Sequence, residues 1–208
     1  MQNTVPTTRS IYKRLFLPVY LPSFMLVMVN AACLILLPVF LLQQGETAAV
    51  AASALALRGV GILLIDGPAG ILANRFGDKP LMLAGGCCAL LAMLLLVFGN
   101  SVAMVMLASC MVGMSNGMSL VGRLSYITDE CDVLERGRAI SFIGGIQRIG
   151  SLTGPLIFAF LAELISYALV FGLMALLCVV YLVCTFLFVQ VRSYPHRKAI
   201  PMSGVFKL

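Results

Sequence analysis

Apolar residues run along this chain in six long, unbroken stretches, at about 15–43, 47–73, 80–98, 101–127, 139–161 and 164–190. Crossing a hydrocarbon layer roughly 30 Å thick takes about 20 helical residues, and each stretch is close to that length or longer. The runs are continuous rather than alternating, and barrel strands are about half as long, so the pattern predicts helices and not strands. The expected fold class is an all-α membrane protein of six transmembrane helices. One transmembrane domain, residues 15–190, is flanked by a short segment, 1–14, and a tail, 191–208. Pro195, Pro201 and Gly204 punctuate that tail, and it is predicted to be disordered.

The breaks between the runs alternate in character. Those at 43–47, 99–101 and 162–163 contain no lysine or arginine. The others carry Arg9, Lys13 and Arg14, then Arg75 and Lys79, then Arg136 and Arg138, and finally Arg192, Arg197 and Lys198. Basic residues concentrate in short cytosolic loops, so the pattern predicts that both termini face the cytosol. The longest internal loop is expected at 128–138. The first ten residues are polar and no cleavage site follows the first run, so the first helix is expected to be retained.

Composition supports the bilayer as solvent. Of 208 residues, 61% are hydrophobic and 11% charged, and the mean hydropathy is +1.05. Soluble domains run near 25% charged. The net charge of +6 follows from the basic breaks, so it is a topology signal and implies no nucleic-acid partner. Six of the seven cysteines lie in or beside apolar runs and read as small apolar fillers, whereas Cys131 falls in the charged loop. None has metal-ligand spacing, and the single histidine, His196, is in the tail, so no metal or cofactor is expected. Tryptophan is absent, which leaves Tyr12, Tyr20, Tyr126, Tyr167, Tyr181 and Tyr194 for interfacial roles. Pro18, Pro22, Pro38, Pro68 and Pro155 fall in or near the spans, where neighbouring helices can re-satisfy the backbone.

Three motifs stand out. After the second run the chain reads Gly70-Ile71-Leu72-Ala73-Asn74-Arg75-Phe76-Gly77-Asp78-Lys79-Pro80. After the fourth run, Asp129 is followed by Arg136-Gly137-Arg138-Ala139. In the fifth run, Gly144, Gly145, Gln147 and Arg148 lead into Gly150-Ser151-Leu152-Thr153-Gly154-Pro155. Gly150 and Gly154 stand about one helical turn apart and offer a flat face to another helix. Together these segments resemble the major facilitator superfamily: its signature loop after helix two, its loop after helix four, and the G-x-x-x-G-P motif of antiporters in helix five. The resemblance covers roughly 15–190, as an amino-terminal six-helix half of the drug or metabolite efflux kind. It implies two halves that rock about a central site, with a latch at the signature loop. The latch positions would be Asp66, Gly70, Asn74, Arg75, Gly77, Asp78, Lys79, Asp129, Arg136 and Arg138, and the helix-five motif Gly150, Gly154 and Pro155.

The chain also departs from that pattern. The family's loop acid is Asn74, and a later basic position is Asp78, so the charge network is reduced or rebuilt. The helix-four arginine linked to proton coupling has Ser109 at its expected place, and Asn30 is the most polar central residue of helix one. The family has twelve or more helices, so this chain is expected to pair with a second six-helix half, its own copy or another chain, or to be a truncated half.

Charge inside the spans is the last signal. Arg58 and Arg148 fall near the middle of their helices, and a central arginine is costly unless it faces protein or water. Asp66 lies on the same helix face as Arg58 but about 12 Å along the axis, too far for a direct pair. The functional reading is a positive cavity, with Asn30, Arg58, Asn116, Gln147 and Arg148 facing a small, polar or anionic solute. Ser115 is a further candidate for that polar lining. The structural reading is that these groups bond backbone carbonyls or neighbouring helices. Solute transport by alternating access is the leading function, most like efflux antiport at a bacterial inner membrane. The alternative is a non-transporting half that docks on another transporter. An intramembrane enzyme would need paired acids, a serine with a histidine, or metal ligands in the spans, and no catalytic set is present.

Overall fold

The computed structural model describes residues 14–99 and 101–189. The basic residues Arg9, Lys13, Arg192, Arg197 and Lys198, together with Tyr12, Tyr194, His196 and the tail prolines, lie outside them. Six helices among the described residues are long and apolar enough to cross a membrane. They are α1 (Phe16–Gln43), α2 (Ala48–Phe76), α3 (Asp78–Phe98), α4 (Val102–Glu130), α5 (Val133–Leu164) and α6 (Tyr167–Phe188). No strand occurs among the described residues.

The helices are longer than the apolar runs that announce them. The expected loop at 128–138 shrinks to Cys131 and Asp132, because α4 continues through Glu130 and α5 opens at Val133. Arg136, Gly137 and Arg138 are therefore helical. The signature segment is likewise helix on both sides of a single hinge residue, Gly77, whose φ of +93° favours glycine. Ala162 and Glu163 belong to α5 rather than to a connection. Charged side chains at a membrane surface need not end a helix, since long stems reach toward water while the backbone stays hydrogen-bonded.

Local chemistry sets the ends. The Thr47 hydroxyl accepts from the Val50 amide at 3.4 Å and the Ser101 hydroxyl from the Met104 amide at 3.3 Å, opening α2 and α4. The first turn of α1, Phe16–Tyr20, is π-helical around Pro18. Pro38, Pro68 and Pro155 lie inside α1, α2 and α5.

The main core lies between α1, α3, α4 and α6. Cys33, Leu36 and Leu37 meet Ala89 and Met93, Ala108 and Val112, and Phe171, Met174 and Cys178 there. A smaller cluster packs Leu15, Val19 and Tyr20 against Ile127, Cys131, Ala139 and Ile143. Cys131 thus sits in an apolar cluster rather than an exposed charged loop. Two of the tyrosines expected at the membrane interface, Tyr20 and Tyr181, are also buried.

The helices do not share burial equally. In their most apolar stretches, α2 and α5 are 22% and 17% buried, against 39% or more for the other four. Lipid alone does not explain this asymmetry, because these two helices also carry Arg58, Asp66, Gln147 and Arg148.

Candidate functional site

Arg58 is placed by glycines on the neighbouring helix. A Cβ on Gly113 of α4 would overlap the Arg58 carbonyl, and one on Gly61 of α2 would overlap the carbonyl of Cys110. The two backbones therefore lie flush, as small residues allow between membrane helices. From that contact the Arg58 side chain extends half-buried, within electrostatic reach of Cys33 on α1. Its Nη1 is buried and has no hydrogen-bond partner.

Asn30 stands about one turn before Cys33 on the same helix. Its Nδ2 donates to the Leu26 carbonyl at 2.9 Å, while its buried Oδ1 has no partner. One end of this amide is thus tied to its own helix, and the other is buried without a partner. On α4, Asn116 is half-buried between Ser115, whose buried hydroxyl has no partner, and Gly117. Gly117 keeps α4 close to Asp66, whose Oδ1 lies 3.0 Å from where a Cβ would stand. Asp66 is otherwise exposed.

The α5 motif works the same way against α1. A Cβ on Gly154 would come within 2.7 Å of the Met28 Cα, and one on Gly150 within 3.1 Å of the Val27 Cγ1. This contact leaves Gln147 half-buried and Arg148 exposed, with Pro155 just beyond. Among the described residues no hydrogen bond or ion pair joins Gln147 or Arg148 to Arg58 or Asn30. Cys33 of α1 lies about one turn from Asn30 and within electrostatic reach of Arg58 from α2.

At the charged end, the signature segment makes local contacts. Gly70 and Asn74 are exposed on α2, and the Arg75 guanidinium lies 5.4 Å from the ring centre of adjacent Phe76. Asp78 occupies the first turn of α3, where an acid suits the helix dipole. Lys79 Nζ donates to the Phe186 carbonyl at 2.7 Å and lies 5.0 Å from that residue's ring, tying α3 to the end of α6. The end of α4 is held twice. Arg14 pairs with Glu130 at 3.4 Å and donates to its carbonyl at 2.8 Å, and Arg136 Nε donates to the Cys131 carbonyl at 3.1 Å. Asp129, just before that turn, is half-buried, and Arg138 is exposed on α5. Burial raises the Cys131 thiol pKa above its ordinary value, against a smaller downward pull from Arg14.

Sequence reasoning overlooked a buried polar cluster. Arg123 of α4 is 1% exposed, its Nε donates to the Ser119 carbonyl at 2.9 Å, and its Nη1 has no partner. Tyr181 of α6 is within its electrostatic reach and donates its hydroxyl to the Met82 carbonyl at 3.1 Å. Glycines at 85 and 86 make room: a Cβ there would run into the Ser119 hydroxyl and the Tyr181 ring. Ser109, where an arginine was sought, instead donates to the Ala54 carbonyl at 2.6 Å. The buried arginine of this helix lies further along. The signal was a lone charge inside the fourth apolar run. Among the described residues no group of histidine, cysteine or acidic side chains is placed to hold a metal ion.

Residues 19–206 match the model of the Major Facilitator Superfamily. The chain belongs to that superfamily. Membership makes it a multi-pass integral membrane protein of a transporter family rather than an enzyme. Among curated relatives, it is 26% identical over 176 residues to the multi-drug resistance efflux pump PmrA of Streptococcus pneumoniae, covering 82% of this chain and 44% of the pump. It is 26% identical over 127 residues to the quinolone resistance protein NorA of Staphylococcus aureus, covering 61% of this chain and 33% of that protein. The chain spans less than half the length of these relatives. A crystal structure of the peptide transporter POT in complex with sulfate superposes with a TM-score of 0.75 at 18% identity, over 84% of this chain and 37% of that one. That likeness concerns the fold alone, and it supports a superfamily-type half bundle.

Proposed function

We propose that these six helices form one half of a solute transporter that works by alternating access, in the manner of an efflux antiporter of a bacterial plasma membrane. The observation that carries this reading is the open face of α2 and α5. These are the two least buried helices, yet they hold charge at mid-span. A lone arginine against lipid is costly, so such a face calls for protein or water opposite it. A second six-helix half, from a copy of this chain or from another, meets that need and encloses a path between the halves.

Arg58 and Asn30 then face the solute with an unused donor and an unused acceptor, and Gln147 and Arg148 approach it from α5. Asn116 completes the polar lining. Two arginines and one nearby acid favour a polar or anionic solute, whose carboxylate a guanidinium binds in fork geometry. The segments around Gly77 and Arg136 form the cytosolic latch, with both termini on that side as the basic breaks predict.

The relatives suggest the assay. The chain would be expressed in a bacterial host lacking its own efflux pumps, and quinolone accumulation measured with and without a proton-gradient collapser. Lower accumulation that Arg58→Gln and Arg148→Gln each reverse supports the reading. A chain that forms a defined assembly yet leaves accumulation of quinolones and of anionic dyes unchanged sinks it. In that event the open face favours the second reading, a non-transporting half that docks on another transporter, and copurification with a full-length transporter decides for it.

A further inference from the structure

Asp66 of α2 and Arg148 of α5 are exposed within the spans, and among the described residues neither side chain has a hydrogen-bond or ion-pair partner. Each charge is costly against lipid. The two helices are held by different neighbours: Gly113 and Gly117 set α2 against α4, whereas Gly150 and Gly154 set α5 against α1. The charges nevertheless lie at one depth. Asp66 stands beside Gly117. Gly117 is 13 residues before the end of α4 at Glu130, and Arg148 is 15 residues after the start of α5 at Val133. Both charges are therefore roughly 20 Å from the turn that α4 and α5 share. Gly70 and Gly144 lie about one turn nearer that end, on the same helix faces as Asp66 and Arg148, and a Cβ on either meets nothing within 4 Å. Neither glycine serves packing inside the chain, and glycine opposite glycine lets two membrane helices close up.

The basic breaks insert every copy of the chain in one orientation, so two copies in a bilayer are related by a two-fold axis along the membrane normal. Such an axis preserves depth. If each helix faced its own counterpart, Arg148 would meet Arg148 and Asp66 would meet Asp66, which is repulsive. With α2 facing α5 of the second copy, acid meets arginine and Gly70 meets Gly144, and the axis makes the same contact twice. We propose that a second copy of this chain covers the open face of α2 and α5, with Asp66 of each copy paired to Arg148 of the other. This rests on the reading of the six helices as one half of a transporter and says which half completes it. The two ion pairs then close the two edges of the path between the copies.

Light scattering of the full chain in mild detergent, with the detergent contribution subtracted, tests this. The wild type is expected at the mass of two 22.3 kDa chains. Asp66→Arg alone and Arg148→Asp alone each set like charges together at both contacts, and each should weaken the dimer roughly tenfold or more. Differently tagged Asp66→Arg and Arg148→Asp chains, expressed together, meet opposite charges at both contacts and should copurify as a dimer. That recovery also shows that both variants fold. Asp66→Asn removes a charge without adding one, should loosen the dimer by a smaller factor, and guards against a reversal that fails to insert. A monomeric wild type overturns the proposal. So does a single reversal as dimeric as the wild type, and so does a mixed pair that stays apart. A monomer that still lowers quinolone accumulation would overturn this pairing while leaving the transport reading intact, with the second half supplied by another chain. A dimer that follows the charge pattern but transports nothing would uphold the pairing and sink the transport reading.

Discussion

Gly113 of α4 lies directly against the carbonyl of Arg58 on α2, so the residue that brings these helices together also sets where the membrane-buried arginine leaves its backbone. A methyl group at 113 would meet a carbonyl oxygen that cannot rotate away, and the helices would have to part. Gly113→Ala is therefore expected to destabilise the bundle by about 1–3 kcal/mol, the usual range for overpacking. Gly59→Ala is the matched control, since a Cβ there meets nothing within 4 Å. The comparison is read by thermal or SDS unfolding in detergent. Equal stability of the two variants would mean that the α2–α4 contact is looser than it looks.

Much of this architecture was legible from the chain itself. Six spans and the alternation of basic and non-basic breaks follow from composition over long windows, where the bilayer imposes a strong rule, whereas the three glycine-bearing motifs are legible only through their resemblance to the superfamily. Helix ends were less legible. Arg136 and Arg138 look like loop residues because they are charged, yet their side chains can reach water while the backbone continues as helix. Arg123 was overlooked for a related reason. A charge near the end of an apolar run looks like the run's flank, and only the packing of α3 and α6 around it reveals complete burial. Residue type marked Asn30 and Arg58 as candidates. That each keeps one unpartnered polar atom depends on tertiary contacts that no spacing rule encodes.

The orphan Nη1 of Arg58 leads to opposite expectations for stability and function. An incompletely paired charge in the membrane opposes folding, and an apolar side chain of similar reach removes that cost. Arg58→Met should raise resistance to unfolding by about 1 kcal/mol. If Arg58 faces the solute as proposed, the same change should abolish transport. Arg58→Lys keeps the charge but loses the fork, and should retain only part of the activity. A loss of stability in Arg58→Met would instead assign the arginine a structural role.

Tyr181 offers a cleaner measurement of the buried cluster. Its hydroxyl donates across helices to Met82, and phenylalanine removes only that oxygen. The carbonyl left behind still accepts within α3, so Tyr181→Phe should cost about 1 kcal/mol. Arg123→Ala should cost more, because it empties space among packed side chains as well as removing a charge. A Tyr181→Phe variant as stable as wild type would show that the hydrogen bond across α3 and α6 contributes little.

Cys131 can report on the clasp at the start of α1. The thiol is 3% exposed beneath Leu15, Val19 and Tyr20, and the Arg14–Glu130 pair closes over the same turn. Burial raises its pKa above the ordinary 9.0, so at neutral pH it is both covered and protonated. Only the thiolate reacts with maleimide. In a variant that keeps Cys131 as its single cysteine, labelling near pH 7 should be slow, and it should climb steadily as the pH rises toward the raised thiol pKa. Adding Arg14→Ala removes the pair that tethers the start of α1, so the cluster opens and the thiol is hydrated. Removing that cation also withdraws its smaller stabilisation of the thiolate, which opposes faster labelling. The gain in access should win, because burial is the larger influence on this thiol. Labelling of the double variant near pH 7 should therefore be faster, roughly tenfold for each unit by which hydration lowers the pKa. Unchanged labelling would locate the tether in the apolar cluster rather than in the ion pair.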